Sequence, residues 1–246
     1  MSIFNRIAKS LAFRSKALFA VLFMNGEKLG RFFSRAEIQD VVGWSNFFQT
    51  VPGVRVWEGG PPAYSLALSR SPESPLSTEL DVINLMYDLS RFLKARTVIE
   101  VGIYKGACSL AIAQALKDNG GGTVHCVDIS DAFFSPIAAA VKELGGGVDA
   151  QFLHGDSAAI AAAGKLPNAN LIFIDADHSY AGVRKDVDEY WPLLMPGGAL
   201  VLHDSIMWEG VRKTAAELFA AGLPVISLAT SGGSGVTLVF KPLAKE

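Results

Sequence analysis

Cysteine is scarce. Cys108 and Cys126 are the only two in 246 residues, which excludes a disulfide framework, and no cysteine–histidine spacing suited to structural zinc accompanies them. Both fall in predicted core elements and read as reduced thiols. Long apolar runs are missing as well. A bilayer span needs roughly 20 such residues, and the longest candidate, Ala17 to Met24, falls well short. Arg14 and Lys16 interrupt the apolar pattern ahead of it and no small-residue cleavage site follows convincingly. A secretory leader is therefore not expected, and a cytoplasmic location is. Charge of one sign is also lacking: 22 Lys and Arg face 24 Asp and Glu, a net of −2. No global field favours nucleic acid as a partner.

The balance is uneven along the chain, since residues 1–35 carry seven Lys or Arg against one Glu. Ile3, Phe4, Ile7, Leu11, Leu18 and Leu22 lie near helical spacing with Arg6, Lys9 and Lys16 between them, which predicts one or two amphipathic helices. Two uses fit such helices: peripheral contact with a membrane surface, or packing on the main domain or on a second subunit. Phe47 to Pro75 is irregular and rich in Pro, Gly and Ser, as expected of a connector or lid. Ser77, Thr78 and Glu79 then form a helix start, with the helix itself running from Leu80 to Leu93. With half its residues apolar, the chain can bury a substantial core plus an appendage. The expected division is residues 1–75, a helical lid, substrate or dimer region, and residues 76–246, the main domain, with a homo-oligomer as the expected assembly.

Beyond residue 96 strands and helices alternate. Strands are predicted at Thr97–Gly102, Thr123–Asp128, Ala150–His154, Leu171–Asp175, Ala199–His203, Val225–Leu228 and Val236–Phe240. Helices fit between them at Ala107–Leu116, Pro136–Leu144, Ser157–Ala163, Tyr180–Trp191 and Gly210–Ala220. This rhythm predicts an α/β fold, a doubly wound parallel sheet with helices on both faces. The short SGGSG between the last two strands makes them an antiparallel hairpin.

In such sheets ligands bind beyond the carboxyl ends of the strands. Those ends are acidic here: Glu100, Asp128, Asp156, Asp175 and Asp204 stand at or just after five successive strands. One acid in such a place is commonly a helix cap, as Asp156 can be; five are hard to explain that way. The first strand and turn, TVIEVGIYKGACSL from Thr97 to Leu110, break at Gly102 and Gly106. An acid at the second strand end suits a ribose, whose two hydroxyls it can bind. A pyrophosphate would want G-x-G-x-x-G in the first turn. Glu100 would repel a pyrophosphate, yet it suits a nucleoside carrying a positive charge.

The series Val98-Ile-Glu-Val-Gly-Ile-Tyr-Lys-Gly, Val127-Asp128, His154-Gly-Asp156-Ser, Phe173-Ile-Asp-Ala-Asp-His178, Pro196-Gly-Gly and His203-Asp204 resembles the class I S-adenosylmethionine-dependent methyltransferases over roughly residues 76–241. The resemblance implies a Rossmann-like seven-stranded sheet in the order 3-2-1-4-5-7-6 with the last strand antiparallel. It implies S-adenosylmethionine contacts from Glu100, Gly102 and Gly106, ribose contacts from Asp128, and adenine contacts from Asp156 and Ser157. Tyr104, Ser109 and Asp175 complete the cofactor set. The F-I-D-A-D-H and H-D-S-I-M-W-E-G segments are similar to the divalent-metal-dependent small-molecule O-methyltransferases of the catechol, caffeoyl-coenzyme A and antibiotic-sugar groups. That similarity implies Mg²⁺ on Asp175 and Asp204, with His203 or a water as third ligand, and a hydroxylated small molecule, a sugar or phenolic, as acceptor. Asp175 and His178 are the expected catalytic pair, His178 as the base. Trp208 is a candidate wall of the acceptor pocket. Two rival readings stand beside this one: a noncatalytic cofactor-binding subunit, and a relative that uses its metal site without methylating, as cephalosporin-hydroxylase-like proteins were named for doing.

Overall fold

The β-branched runs that predict strands do form them, and they hydrogen-bond into one sheet. The computed structural model describes residues 78–230 and 233–243; the helices expected over 1–35 and the connector expected over 47–75 lie outside them. Helix α1 (Leu80–Phe92) leads into strand β1 (Thr97–Val101). There follow α2 (Ala107–Asp118), β2 (Gly122–Asp128), α3 (Phe134–Leu144), β3 (Val148–His154), α4 (Ser157–Ala162) and β4 (Ala169–Ile174). The chain continues through α5 (Tyr180–Tyr190), a 3₁₀ turn (Trp191–Leu193), β5 (Leu194–His203), α6 (Glu209–Ala220), β6 (Val225–Leu228) and β7 (Val236–Phe240).

The sheet has seven strands in the order β3-β2-β1-β4-β5-β7-β6. Strands β1 to β5 pair in parallel, and β7 runs antiparallel to both β5 and β6. Strand β5 begins at Leu194, earlier than the expected Ala199, because Pro196-Gly197-Gly198 is carried within it. A shift of register between Ala169 and Leu171 accommodates this insertion against β4. Trp191 leaves the helix it was expected to finish, since Pro192 follows and the chain tightens into the 3₁₀ turn.

Alternate residues of the central strands feed two cores. Val98, Val124, Leu171, Phe173 and Val201 pack against α1, α2 and α3. Ile99, Val127, Ile172, Ile174, Leu200 and Leu202 pack against α4, α5 and α6. With both faces covered, the strand interiors have no polar demand, which is why they read as continuous apolar runs. Polar side chains therefore collect at the strands' carboxyl ends.

Candidate active site

Strand β1 ends on a turn that brings it against β4. Asp175 N donates to Val101 O at 2.8 Å, and Gly102 adopts φ 84°. A Cβ at Gly102 would sit 2.1 Å from the carbonyl oxygen of Asp175, so no side chain is tolerated there. Two residues on, Tyr104 holds φ 44°, a conformation rare outside glycine and common at functional turns. The carboxylate of Asp128 sustains it. Asp128 Oδ2 accepts from Ile103 N at 2.8 Å and Tyr104 N at 3.1 Å, while Oδ1 accepts from Ser130 N at 2.8 Å. Asp128 thus organises the glycine turn as well as facing the space beside it. Gly106, at φ 81°, opens α2 where a Cβ would strike the Ile137 side chain.

A cavity of about 660 Å³ lies over this turn, within the range of small-molecule sites. Of the expected cofactor residues, Glu100, Gly102, Tyr104, Asp128, Asp156, Ser157 and Asp175 line it. Gly106 and Ser109 are not among the lining residues: Gly106 shapes the helix start, and Ser109 is buried beside Glu100. Asp156 caps α4 by accepting from Ala159 N at 2.8 Å, and the Ser157 hydroxyl donates to Asp186. Each is engaged in the fold while its segment walls the cavity.

Glu100 is buried, and among the described residues its Oε2 has no hydrogen-bond partner; nor has the Oγ of neighbouring Ser109. Burial pushes this carboxyl up to about 8, with Asp175 and Asp128 adding to the rise and Ser109 opposing it. An orphaned acid in a cavity wall fits a cationic ligand group and disfavours an anionic one.

The same cavity ends on Asp175, where a second constellation begins. His203 Nδ1 lies 2.9 Å from Asp175 Oδ1 and its Nε2 lies 3.0 Å from Glu79 Oε2. On the other side, His178 Nε2 lies 3.3 Å from Asp175 Oδ1 and 3.0 Å from Asp204 Oδ2. Glu79, His203, Asp175, His178 and Asp204 therefore alternate acid and imidazole in one chain. Burial favours the neutral imidazole, yet the flanking carboxylates outweigh it and raise His178 to about 9. His203 is likewise raised well above its ordinary value, by Asp175 foremost and Glu79 next. The carboxyls respond in kind: burial opposes ionisation, but His203 and His178 hold Asp175 far below the usual range, and His203 with Ser234 brings Glu79 to about 2. The His178 ring also stacks on Trp208, centroids 5.4 Å apart and planes 18° from parallel. Asp204 carries its carboxylate from a turn with φ 59°.

The expected ligand residues Asp175, His203 and Asp204 lie side by side, and His178 stands with them. His203 ends β5 as a buried side chain with both ring nitrogens facing Asp175 and Glu79, and its Nδ1 stands 3.9 Å from Asp204 Oδ1. Donor atoms of Asp175, His178 and Asp204 lie within 4.8 Å of one another. Two carboxylates and an imidazole fit a divalent cation with oxygen-rich coordination.

Sequence reasoning missed Glu79, which it read as part of a helix start. Glu79 does precede α1, but its side chain makes no capping bond and turns toward a partner 124 residues away. Proximity in sequence offered no signal for that.

Residues 99–205 match a family described as a methyltransferase domain. The chain is similar to caffeoyl-CoA O-methyltransferase 1 of Eucalyptus globulus, 25% identical over 147 residues, covering 58% of this chain and 57% of that protein. The match thus spans little more than half the length of this curated relative. Among solved structures it resembles the O-methyltransferase TomG of Streptomyces achromogenes, involved in tomaymycin synthesis and solved with S-adenosylmethionine. That likeness has TM-score 0.58 and 19% identity, over 74% of this chain and 91% of that one. An O-methyltransferase of Bacillus cereus in complex with S-adenosylhomocysteine gives TM-score 0.53 and 20% identity, over 72% and 87%. At these identities the structural likeness concerns the fold.

Proposed function

We propose that this chain, which belongs to the class I S-adenosylmethionine methyltransferases related to the caffeoyl-CoA O-methyltransferases, transfers a methyl group to a hydroxyl of a small molecule, a sugar or a phenolic. The observation that carries the reading is that Asp175 belongs to two places at once. It closes the cavity that begins at Glu100, and it joins the acid–imidazole chain that contains His178 and Asp204.

In this reading the orphaned Oε2 of Glu100 takes the ammonium of the cofactor's methionine part, Asp128 takes the ribose, and the segment at Asp156 and Ser157 borders the adenine. The sulfonium then lies toward the Asp175 end, where the cluster retains an excess of carboxylates over imidazoles. Asp175 and Asp204 would hold a divalent cation such as Mg²⁺, which supplies Lewis-acid activation of the acceptor hydroxyl when bound; by neutralising the two carboxylates that hold a proton on His178, it would also leave that imidazole neutral and able to act as a base. The protein's remaining tasks are alignment and proton handling. Trp208 fixes the plane of His178 by stacking, and Asp175 and Asp204 fix the direction of its Nε2. His178 takes the hydroxyl proton as the acceptor oxygen forms its bond to the methyl carbon and the carbon–sulfur bond breaks.

The test is S-adenosylhomocysteine formation with a panel of sugar and phenolic acceptors, before and after exhaustive EDTA treatment. Acceptor-dependent product that falls with EDTA and returns with Mg²⁺ supports the whole reading. Product unaffected by EDTA removes the cation and leaves Asp175 as a cofactor or substrate contact. Tight cofactor binding with no product from any acceptor favours the noncatalytic alternative.

A further inference from the structure

Glu79 lies in the segment entering α1, far in sequence from every strand end, yet its carboxylate sits among the reaction-site residues. One oxygen, Oε2, is 3.0 Å from His203 Nε2. The other, Oε1, accepts from Thr230 Oγ1 at 3.0 Å, from Ser234 N at 3.4 Å and from the Ser234 hydroxyl. Its side chain is 16% exposed, and that of His203 7%.

Each oxygen leads to one of the two carboxylates in the convergent set. Through Oε2 the path is His203, whose Nδ1 meets Asp175 Oδ1 at 2.9 Å. A histidine flanked by two carboxylates is pinned in ring plane and direction, so the Oδ1 of Asp175 is held in place. Through Oε1 the path is residues 234 and 235 before β7. Ser234 O accepts from Ile206 N at 2.8 Å and Met207 N at 3.0 Å, and Gly235 O accepts from Ser205 N at 3.1 Å. Those three donors belong to the turn that begins at Asp204 and gives it φ 59°.

We propose that Glu79 is a positioning residue for the reaction site: through His203 and Ser234 it sets the separation and aim of the Asp175 and Asp204 carboxylates. The inference rests on the reading of those two residues as the acceptor-side carboxylates. It adds that the residue entering α1, outside the strand-end motif series, completes the site. Glu79 touches neither ligand directly. Its work is done by hydrogen bonds made from that place, and it does not require the full charge there. A glutamine keeps an oxygen for Ser234 and Thr230 and a hydrogen-bonding amide group toward His203.

The test compares wild-type protein, Glu79→Ala and Glu79→Gln in three measurements. They are S-adenosylhomocysteine affinity by calorimetry, Mn²⁺ affinity by electron paramagnetic resonance, and the His178 ring signals by NMR. The expected result is S-adenosylhomocysteine affinity within about twofold for all three proteins. Mn²⁺ affinity should fall at least tenfold in Glu79→Ala and stay within about threefold of wild type in Glu79→Gln, with His178 signals displaced in the former alone. A general folding defect would instead weaken the nucleoside ligand in parallel. Wild-type Mn²⁺ affinity and unshifted His178 signals in Glu79→Ala overturn the proposal, as does a Glu79→Gln protein no better than Glu79→Ala. Should wild type itself bind no Mn²⁺, the cation part of the proposed function fails separately, and the His178 signals alone decide the role of Glu79.

Discussion

Glu100 is the residue whose protonation should change most when a ligand arrives. Its carboxyl titrates at about 8 because it is buried, so at pH 7 the free protein holds it mostly protonated. An ammonium group set beside it favours the carboxylate, and binding must then expel a proton. The sign follows from linkage: affinity for S-adenosylhomocysteine should rise as pH rises toward about 8 and level off above it. Calorimetry at pH 7 in two buffers of different ionisation enthalpy should show release approaching one proton, absent in Glu100→Gln. His178 makes a different prediction. It lies in the acid–imidazole chain and stacks on Trp208, outside the residues that line the nucleoside cavity. His178→Ala should therefore lower turnover by about 10²-fold or more, the usual range for a general base, with cofactor affinity within about twofold. Full turnover in that variant would take His178 out of the mechanism.

The turn after β1 and the end of β4 act as one unit, because Gly102 lets the two backbones meet. Gly102→Ala must place a Cβ at 2.1 Å from Asp175 O while keeping φ near 84°. Strain of this kind costs about 1–3 kcal/mol for the backbone conformation alone, and the steric clash adds to it. Chemical denaturation should show at least that loss, and S-adenosylhomocysteine affinity should fall with it, since Asp175 moves when the turn does. An unchanged denaturation midpoint would mean that the turn relaxes without disturbing β4. Helix α1 contributes differently. Its apolar residues Val82, Ile83, Leu85 and Met86 pack against α2 in the core that α2 shares with one face of the sheet, and its entry residue Glu79 reaches the strand ends.

Over the whole molecule, sheet order and both faces were legible because parallel strands buried on two sides can only be written in apolar, β-branched residues, and Thr97–Val101 and Leu171–Ile174 are examples. The acids at Glu100, Asp128 and Asp175 were legible because strand ends are where such a sheet exposes polar groups. What side chains do there was less so. Asp128 accepts two hydrogen bonds from the backbone of the turn after β1 and one from Ser130 N, and Asp156 is a cap facing a cavity. That His203 faces Glu79 as well as Asp175 depends on where α1 docks. No spacing rule within the strand-end motifs contains that contact. No helix of the described residues is long and apolar enough to cross a membrane, and the roles expected for residues 1–75 fall outside what is described. The central claim is that the nucleoside cavity and the acid–imidazole chain meet at Asp175 to move a methyl group onto oxygen. Its most direct test is incubation with methyl-labelled S-adenosylmethionine and a panel of hydroxylated sugars and phenolics, using wild-type protein and Asp175→Asn, with products read by mass spectrometry. The predicted result is a labelled methyl ether formed by the wild type and reduced at least 100-fold in Asp175→Asn. Label on nitrogen or carbon, or a wild-type protein that binds the donor tightly and labels no acceptor, would contradict it.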